Sequence, residues 1–231
     1  MADQADGPML RVCMAQLRSL PADPAANLTA LEACLHRHVG LADLVVFPEC
    51  FVHGYGPDAS AACAENARGS SFVRVSEVAK STGLTVVYGF SELGDDGLRY
   101  IALNWVTAAG ELLFTYRKSH LWTPSDFESR NFVPGRELPP IVDLCGVRVA
   151  TLICFDVEVV EPSRVLALQG AQLLIAVGLP LPSLCTLARR QPHTCALSRT
   201  DNIQHVHLMV GLCRGEQRRA HARRHGSHAG V

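Results

Sequence analysis

Residues 147–169 read VRVATLICFDVEVVEPSRVLALQ, and this stretch decides the fold class. Residues 147–153 form a near-continuous apolar run, the pattern of a strand covered on both faces. Cys154 ends the run. From Glu161 to Gln169 the periodicity turns helical, and residues 172–177 (QLLIAV) form another buried strand. A strand, a helix and a strand in close succession read as α/β.

Working back toward the N-terminus, a strand over 140–144 precedes a Cys-Gly turn. Residues 119–140 are polar and Pro-containing and read as a loop of functional length. Runs over 100–107 and 111–116, joined by Ala-Ala-Gly, predict a hairpin. GLTVVYGF is a buried strand, preceded by a helix over 71–82 with Phe72, Val75, Val78 and Ala79 on one face. ADLVVF is another buried strand. Before it, Asp23-Pro24 supplies an N-cap and a first helical residue, with Leu28, Leu31, Leu35 and Val39 at helical spacing and Gly40 as the stop. Residues 10–17 (LRVCMAQL) are strand-like. Toward the C-terminus, residues 188–200 predict a helix that Pro192 weakens, and residues 203–212 a last strand. Helices alternating with strands, interrupted by a hairpin, predict a mixed rather than a purely parallel sheet. One domain is expected over residues 1–213. A basic tail over 214–231, with five arginines and one glutamate, lacks the apolar residues to order itself.

Composition narrows the function classes. In 231 residues, 48 % are hydrophobic and 19 % charged, with a net charge of −1. That is enough apolar material for a full core and no global attraction to nucleic acid or membranes. Nine cysteines without a C-x-x-C pair suit a reduced, cytoplasmic protein better than a disulfide framework. The acidic N-terminus has no secretory apolar region. The uncharged run 165–184 contains two glutamines and two prolines, so no membrane span is expected.

Three polar residues stand at ends of expected strands. Glu49 follows LVVFP, Lys118 follows ELLFTYR, and Cys154 follows VRVATLI. Each alone has a plain structural reading: a cysteine ending an apolar strand is usually core, Pro-Glu a turn, and a lysine an edge residue. Together they make an acyl-transfer set. A thiolate attacks a carbonyl, a carboxylate moves the proton and activates water, and an ammonium stabilises the oxyanion. The backbone N–H of Phe155, following the nucleophile on a strand-to-helix turn, is a second candidate oxyanion donor. Tyr55 and Trp122, just past the Glu and Lys blocks, are candidate substrate-pocket walls.

The blocks VVFPE, YRKSHLW and LICFDVEVVEPSR, in that order, resemble the signature blocks of the nitrilase (carbon–nitrogen hydrolase) superfamily. PADPAANL, AAGELL and FVPGREL resemble it as well. The resemblance covers roughly the first 180 residues. It implies an αββα sandwich, a Glu49–Lys118–Cys154 triad, a second glutamate at Glu128, and dimers packed through helical faces. No metal or organic cofactor is implied. Nitrilases of the superfamily carry Trp-Glu after the cysteine; Phe155-Asp156 resembles the amidase and carbamoyl-hydrolase branches. A small amide is therefore the expected substrate, cleaved through a thioester, with nitrile hydrolysis as an alternative. Val159-Val160-Glu161 departs from the usual Phe-Pro-Glu.

Three rival readings were weighed. Gly54-Tyr55-Gly56-Pro57-Asp58-Ala59 fits a dinucleotide fingerprint, but it does not follow its strand directly, and Pro57 stiffens it. Cys185, His193, Cys195, His205, His207 and Cys213 cluster late in the sequence, with spacings that match no closed zinc pattern. After about Pro180 the resemblance becomes ragged and the family's closing strands are expected to be missing or replaced, so an inactive family member acting as a binding protein is the third.

Overall fold

The first strand, β1 (Leu10–Met14), pairs in parallel with β2 (Leu44–Val46), with Val12 opposite Leu44. Helix α1 (Pro24–Arg37) joins them; the Asp23 side chain caps it by accepting the Ala26 N–H at 3.0 Å, and Pro24 stands where an amide would lack a partner anyway. These relationships come from a computed structural model that describes residues 9–56, 62–124, 126–178, 194–197 and 207–210.

Helix α2 (Ser70–Thr82) leads into β3 (Thr85–Leu93), parallel to β2, and Gly83 closes the helix with φ +67°. β3, β4 (Arg99–Val106) and β5 (Leu112–Arg117) form an antiparallel meander. With β9 (Thr194–Leu197) antiparallel to β1, the sheet order is β5-β4-β3-β2-β1-β9. A second sheet, ordered β10-β8-β7-β6, is built from β6 (Val142–Leu144), β7 (Val147–Ile153), β8 (Leu173–Val177) and β10 (His207–Val210). Helix α3 (Asp126–Asn131) lies between β5 and β6, and α4 (Val160–Leu168) between β7 and β8.

Strand alternation distributes the apolar residues over two faces. One face of the first sheet, including Val12, Val46, Val87, Leu103 and Trp105, packs with Val149, Ile153, Ile175 and other residues of the second sheet. The opposite face, with Val45, Phe47, Val86 and Tyr88, packs on Leu28, Leu31 and Leu35 of α1 and Val75, Val78 and Ala79 of α2. Leu166 of α4 joins the inter-sheet cluster. Each such side chain, buried fully, contributes about 1.5–3 kcal/mol. Polar bonds also join the two sheets; Trp105 Nε1–H of β4 donates to Thr151 Oγ1 of β7 at 2.9 Å. The layers are helix, sheet, sheet and helix, and both sheets are mixed.

Four local expectations change. α1 stops at Arg37, so Val39 leaves the apolar face and is 51 % exposed. β3 continues past GLTVVYGF to Leu93 and forms a second hairpin through Gly97, whose φ is +76°. The expected loop over 119–140 contains α3. In the expected helix over 188–200, residues 194–197 form β9, because main-chain pairing with β1 satisfies this segment's backbone where Pro192 weakens a helix. The expected strand over 203–212 is present as β10 at 207–210. The remaining parts of those two segments, residues 57–61 and the basic tail lie outside the described residues. Among the described residues no helix is long and apolar enough to cross a membrane.

Candidate active site

Both sheets deliver a polar residue to one buried point. Glu49 leaves β2 through Phe47-Pro48, Lys118 follows directly on β5, and Cys154 ends β7. Their turns are held by close backbone packing. At Gly89 in β3, an added Cβ would lie 2.4 Å from the Pro48 oxygen and 2.8 Å from Glu49 Cα, so the glutamate turn crosses where only glycine leaves room. Gly135 does the same beside Arg117 and donates its N–H to the Lys118 carbonyl at 2.8 Å. Cys154 has φ +47°, a sparsely populated conformation for a residue with a side chain, and opens a 3-10 turn over Cys154–Val157. Such a strained turn lifts a nucleophile out of its strand.

The Lys118 ammonium lies 2.8 Å from Glu49 Oε1 and 3.0 Å from each oxygen of Glu128. All three residues are buried. Glu128 also accepts from the Tyr55 hydroxyl at 2.7 Å and from the Trp122 backbone N–H at 2.8 Å. Glu49 Oε2 is buried and takes no hydrogen bond of normal geometry, while the Cys154 thiol interacts with the same carboxylate. Burial pushes the Glu49 carboxyl above its ordinary value; Lys118 opposes this and Glu128 adds to it. Burial pulls Lys118 down, but Glu49, Cys154 and Glu128 outweigh it and hold the ammonium above its ordinary value. A carboxyl poised to accept a proton therefore sits against a permanently charged cation.

Asp156, two residues past the cysteine, ties the cysteine turn to the lysine turn. It is fully buried. Oδ2 accepts from the Tyr116 hydroxyl at 2.8 Å and the Ile153 N–H at 3.1 Å. Oδ1 accepts from the Ser119 hydroxyl at 2.9 Å and the His120 N–H at 2.8 Å. Sequence reasoning used Asp156 only as a branch marker. Its anchoring role becomes visible when residues from β5 and β7 meet.

Glu128 belongs to α3 and joins the buried charges. Tyr55 contributes its hydroxyl to Glu128 and packs edge-on against Phe127, with ring centroids 4.9 Å apart. Trp122 acts on Glu128 through its backbone. Phe155 is half-buried in the 3-10 turn. Two buried supports were missed. Asn27 of α1 donates to the carbonyls of Leu20 and Val52, both at 2.8 Å, which clamps the segment after Glu49. His53 accepts the Ser91 N–H on Nδ1 at 3.0 Å, with Nε2 3.4 Å from Glu65. The glycine within VVYGF is a readable signal of close backbone approach; Asn27 and His53 carry no comparable pattern.

Among the described residues no three or more His, Cys, Asp or Glu are placed to hold a metal ion. Of the late Cys/His cluster, Cys185, His193, His205 and Cys213 lie outside the described residues, as do the side chains of Cys195 and His207.

The carbon–nitrogen hydrolase family profile matches residues 11–206. The chain belongs to the carbon–nitrogen hydrolase family. A Pseudomonas protegens hydrolase encoded in the pqqF 5' region is 38 % identical over 168 residues, covering 72 % of this chain and 58 % of that protein. An (R)-stereoselective amidase from Pseudomonas sp. is 35 % identical over 170 residues, covering 73 % and 60 %. The chain thus spans about 60 % of the length of these curated relatives. A solved amidase from Nesterenkonia sp. AN1, in a variant bearing acrylamide added at its active site cysteine, superposes with TM-score 0.70 at 27 % identity, over 78 % of this chain and 71 % of that one.

Proposed function

We propose that this carbon–nitrogen hydrolase cleaves the carbon–nitrogen bond of a small amide, with Cys154 as nucleophile. The observation that carries the reading is the buried Lys118 ammonium held between Glu49 and Glu128 beside the Cys154 thiol. The amidase names of its relatives support the same reading.

The chemistry follows from the charges. Glu49 takes the thiol proton, and the sulfur attacks the amide carbon. The oxyanion forms against the Lys118 ammonium and the Phe155 N–H. Glu49 returns the proton to the leaving amine, leaving a thioester on Cys154. Glu49 then deprotonates water, which attacks the thioester, and the acid departs as the thiol is restored. When Glu49 becomes neutral, Lys118 still faces the Glu128 carboxylate, so it keeps a counter-charge throughout. Tyr55 and the Trp122 backbone fix Glu128 in that position. The Phe155-Asp156 pair favours amides over nitriles. Self-association through helical faces belongs to the same reading; α4 exposes Val160, Val165 and Leu168.

The test is turnover of a panel of small amides and their matched nitriles, with mass spectrometry of the protein during turnover. An acyl adduct on the Cys154 peptide, lost in Cys154→Ala, is expected, with amides faster than nitriles. Absence of turnover and of any adduct would leave the chain as a non-catalytic binding protein; faster nitrile turnover would make it a nitrilase.

A further inference from the structure

On the α1 side of the first sheet, away from Glu49, Lys118 and Cys154, a cavity of about 480 Å³ opens between β1 and the end of α1. Its lining includes Cys13, Gln16, Cys34, Arg37, His38 and Leu41, none of which belongs to the site described above. Cys13 is half-buried and Cys34 is 3 % exposed. Cys13, from the strand, and Cys34, from the helix, line this same cavity and are near enough to influence each other.

His38 defines which sulfur is the more reactive. Its Nδ1 lies 2.7 Å from the Cys34 carbonyl oxygen and 3.7 Å from Cys34 Sγ. A carbonyl can only accept, so Nδ1 carries the proton, and that N–H also faces the sulfur. Cys34 therefore has a donor beside it rather than a base that would compete for negative charge. The neighbouring Cys13, with the charges of His38 and Arg37, outweighs burial and lowers the Cys34 thiol below its ordinary value. The neighbouring Cys34 and burial raise the Cys13 thiol. Two cysteines on one small-molecule-sized opening, one of them with an N–H donor beside its sulfur, make the arrangement of an attacking and a resolving cysteine.

We propose that Cys34 and Cys13 form a second reactive site, which reduces hydroperoxides and is converted to a disulfide. The Cys34 thiolate attacks one oxygen of the hydroperoxide and the O–O bond breaks. The departing oxygen takes a proton and leaves as water or an alcohol, and Cys34 becomes the sulfenic acid. The Cys13 sulfur then attacks Cys34 Sγ, the S–O bond breaks, and the hydroxyl leaves as water with the Cys13 proton. Two thiols lose two electrons in all, and the hydroperoxide gains them. Closure also cross-links β1 to α1, beside the strand that leads into Glu49.

Hydrogen peroxide is the probe, applied to the full chain carrying Cys154→Ala so that the proposed nucleophile does not consume it. Remaining thiols are alkylated, the protein is digested without reductant, and peptides are mapped. A Cys13–Cys34 linked peptide, reversed by reductant, is expected at low peroxide excess. In Cys13→Ser the linked peptide should vanish and dimedone should label Cys34. Should that variant not fold, the linked peptide in the Cys13-containing protein still decides the matter. Peroxide loss with both cysteines still fully alkylated, or oxidation confined to other cysteines, overturns the proposal.

Discussion

Lys118 Nζ lies 2.8 Å from Glu49 Oε1, and neither side chain has any solvent-exposed surface. Two charges so placed have lost their water and depend on each other and on Glu128. The two ends of the pair are therefore expected to respond differently to neutralisation. Lys118→Met leaves two buried carboxylates without a cation and should cost about 3–5 kcal/mol of stability. Glu49→Gln leaves one cation with one carboxylate and should be close to neutral in stability. Both should abolish amide turnover. Denaturant unfolding of the two variants checks this; equal losses would mean that the cluster is not organised around the lysine.

The acid side of the pH profile should report Glu49. Its carboxyl lies above the ordinary 4.5 because burial outweighs the attraction of Lys118. In the proposed mechanism the base form is the active one, so kcat/KM should rise with pH along a limb centred above 4.5. The sign for stability is the reverse. A raised carboxyl favours the folded state below the unfolded value and loses that contribution as pH rises through the folded value. The Tm of Glu49→Gln relative to the parent should therefore increase from pH 4 toward pH 7. Lys118, held above 10.5, should contribute no descending limb below that pH.

Asp156 accepts hydrogen bonds from the turn that carries Cys154 and the turn that carries Lys118, and its effect should pass through their positions. Asp156→Asn keeps the shape but replaces one acceptor oxygen with a donor facing other donors. A loss of about 1–3 kcal/mol in stability is expected. The fall in kcat should exceed the change in KM, because the residue is fully buried and acts through the turns it holds. Steady-state kinetics with thermal melts distinguish this from a purely structural role, which would lower Tm and leave kcat per folded molecule unchanged.

Gly89→Ala is a backbone test. The new Cβ would fall 2.4 Å from the Pro48 oxygen and 2.7 Å from the Cys50 nitrogen, and neither atom can swing aside. A cost of about 1–3 kcal/mol is expected from the forced shift, with reduced turnover because the moved segment carries Glu49. Unchanged kinetics and melting would show that the close approach does not hold the glutamate.

Much of the layer order was legible in the chain. Apolar period and capping are local properties, so Asp23-Pro24 announced α1, the Cys-Gly turn before residue 147 separated β6 from β7, and the runs around Val45, Val86, Val149 and Ile175 read as buried strands. The three catalytic candidates could be named because each ends such a run and because their blocks resemble one family. What only the tertiary structure decided is what meets what. Only the resemblance singles out Glu128 in its loop, and α3 turns it onto Lys118; Asp156 reads as a branch marker, yet it receives hydroxyls from β5 and the segment after it. Segment 194–197 was read as helix, yet the open edge of β1 takes it as a strand. The physical reason is the same in each case. Buried hydrogen bonds and ion pairs join residues up to 69 positions apart, as Glu49 and Lys118 show, and no local period records such a pairing.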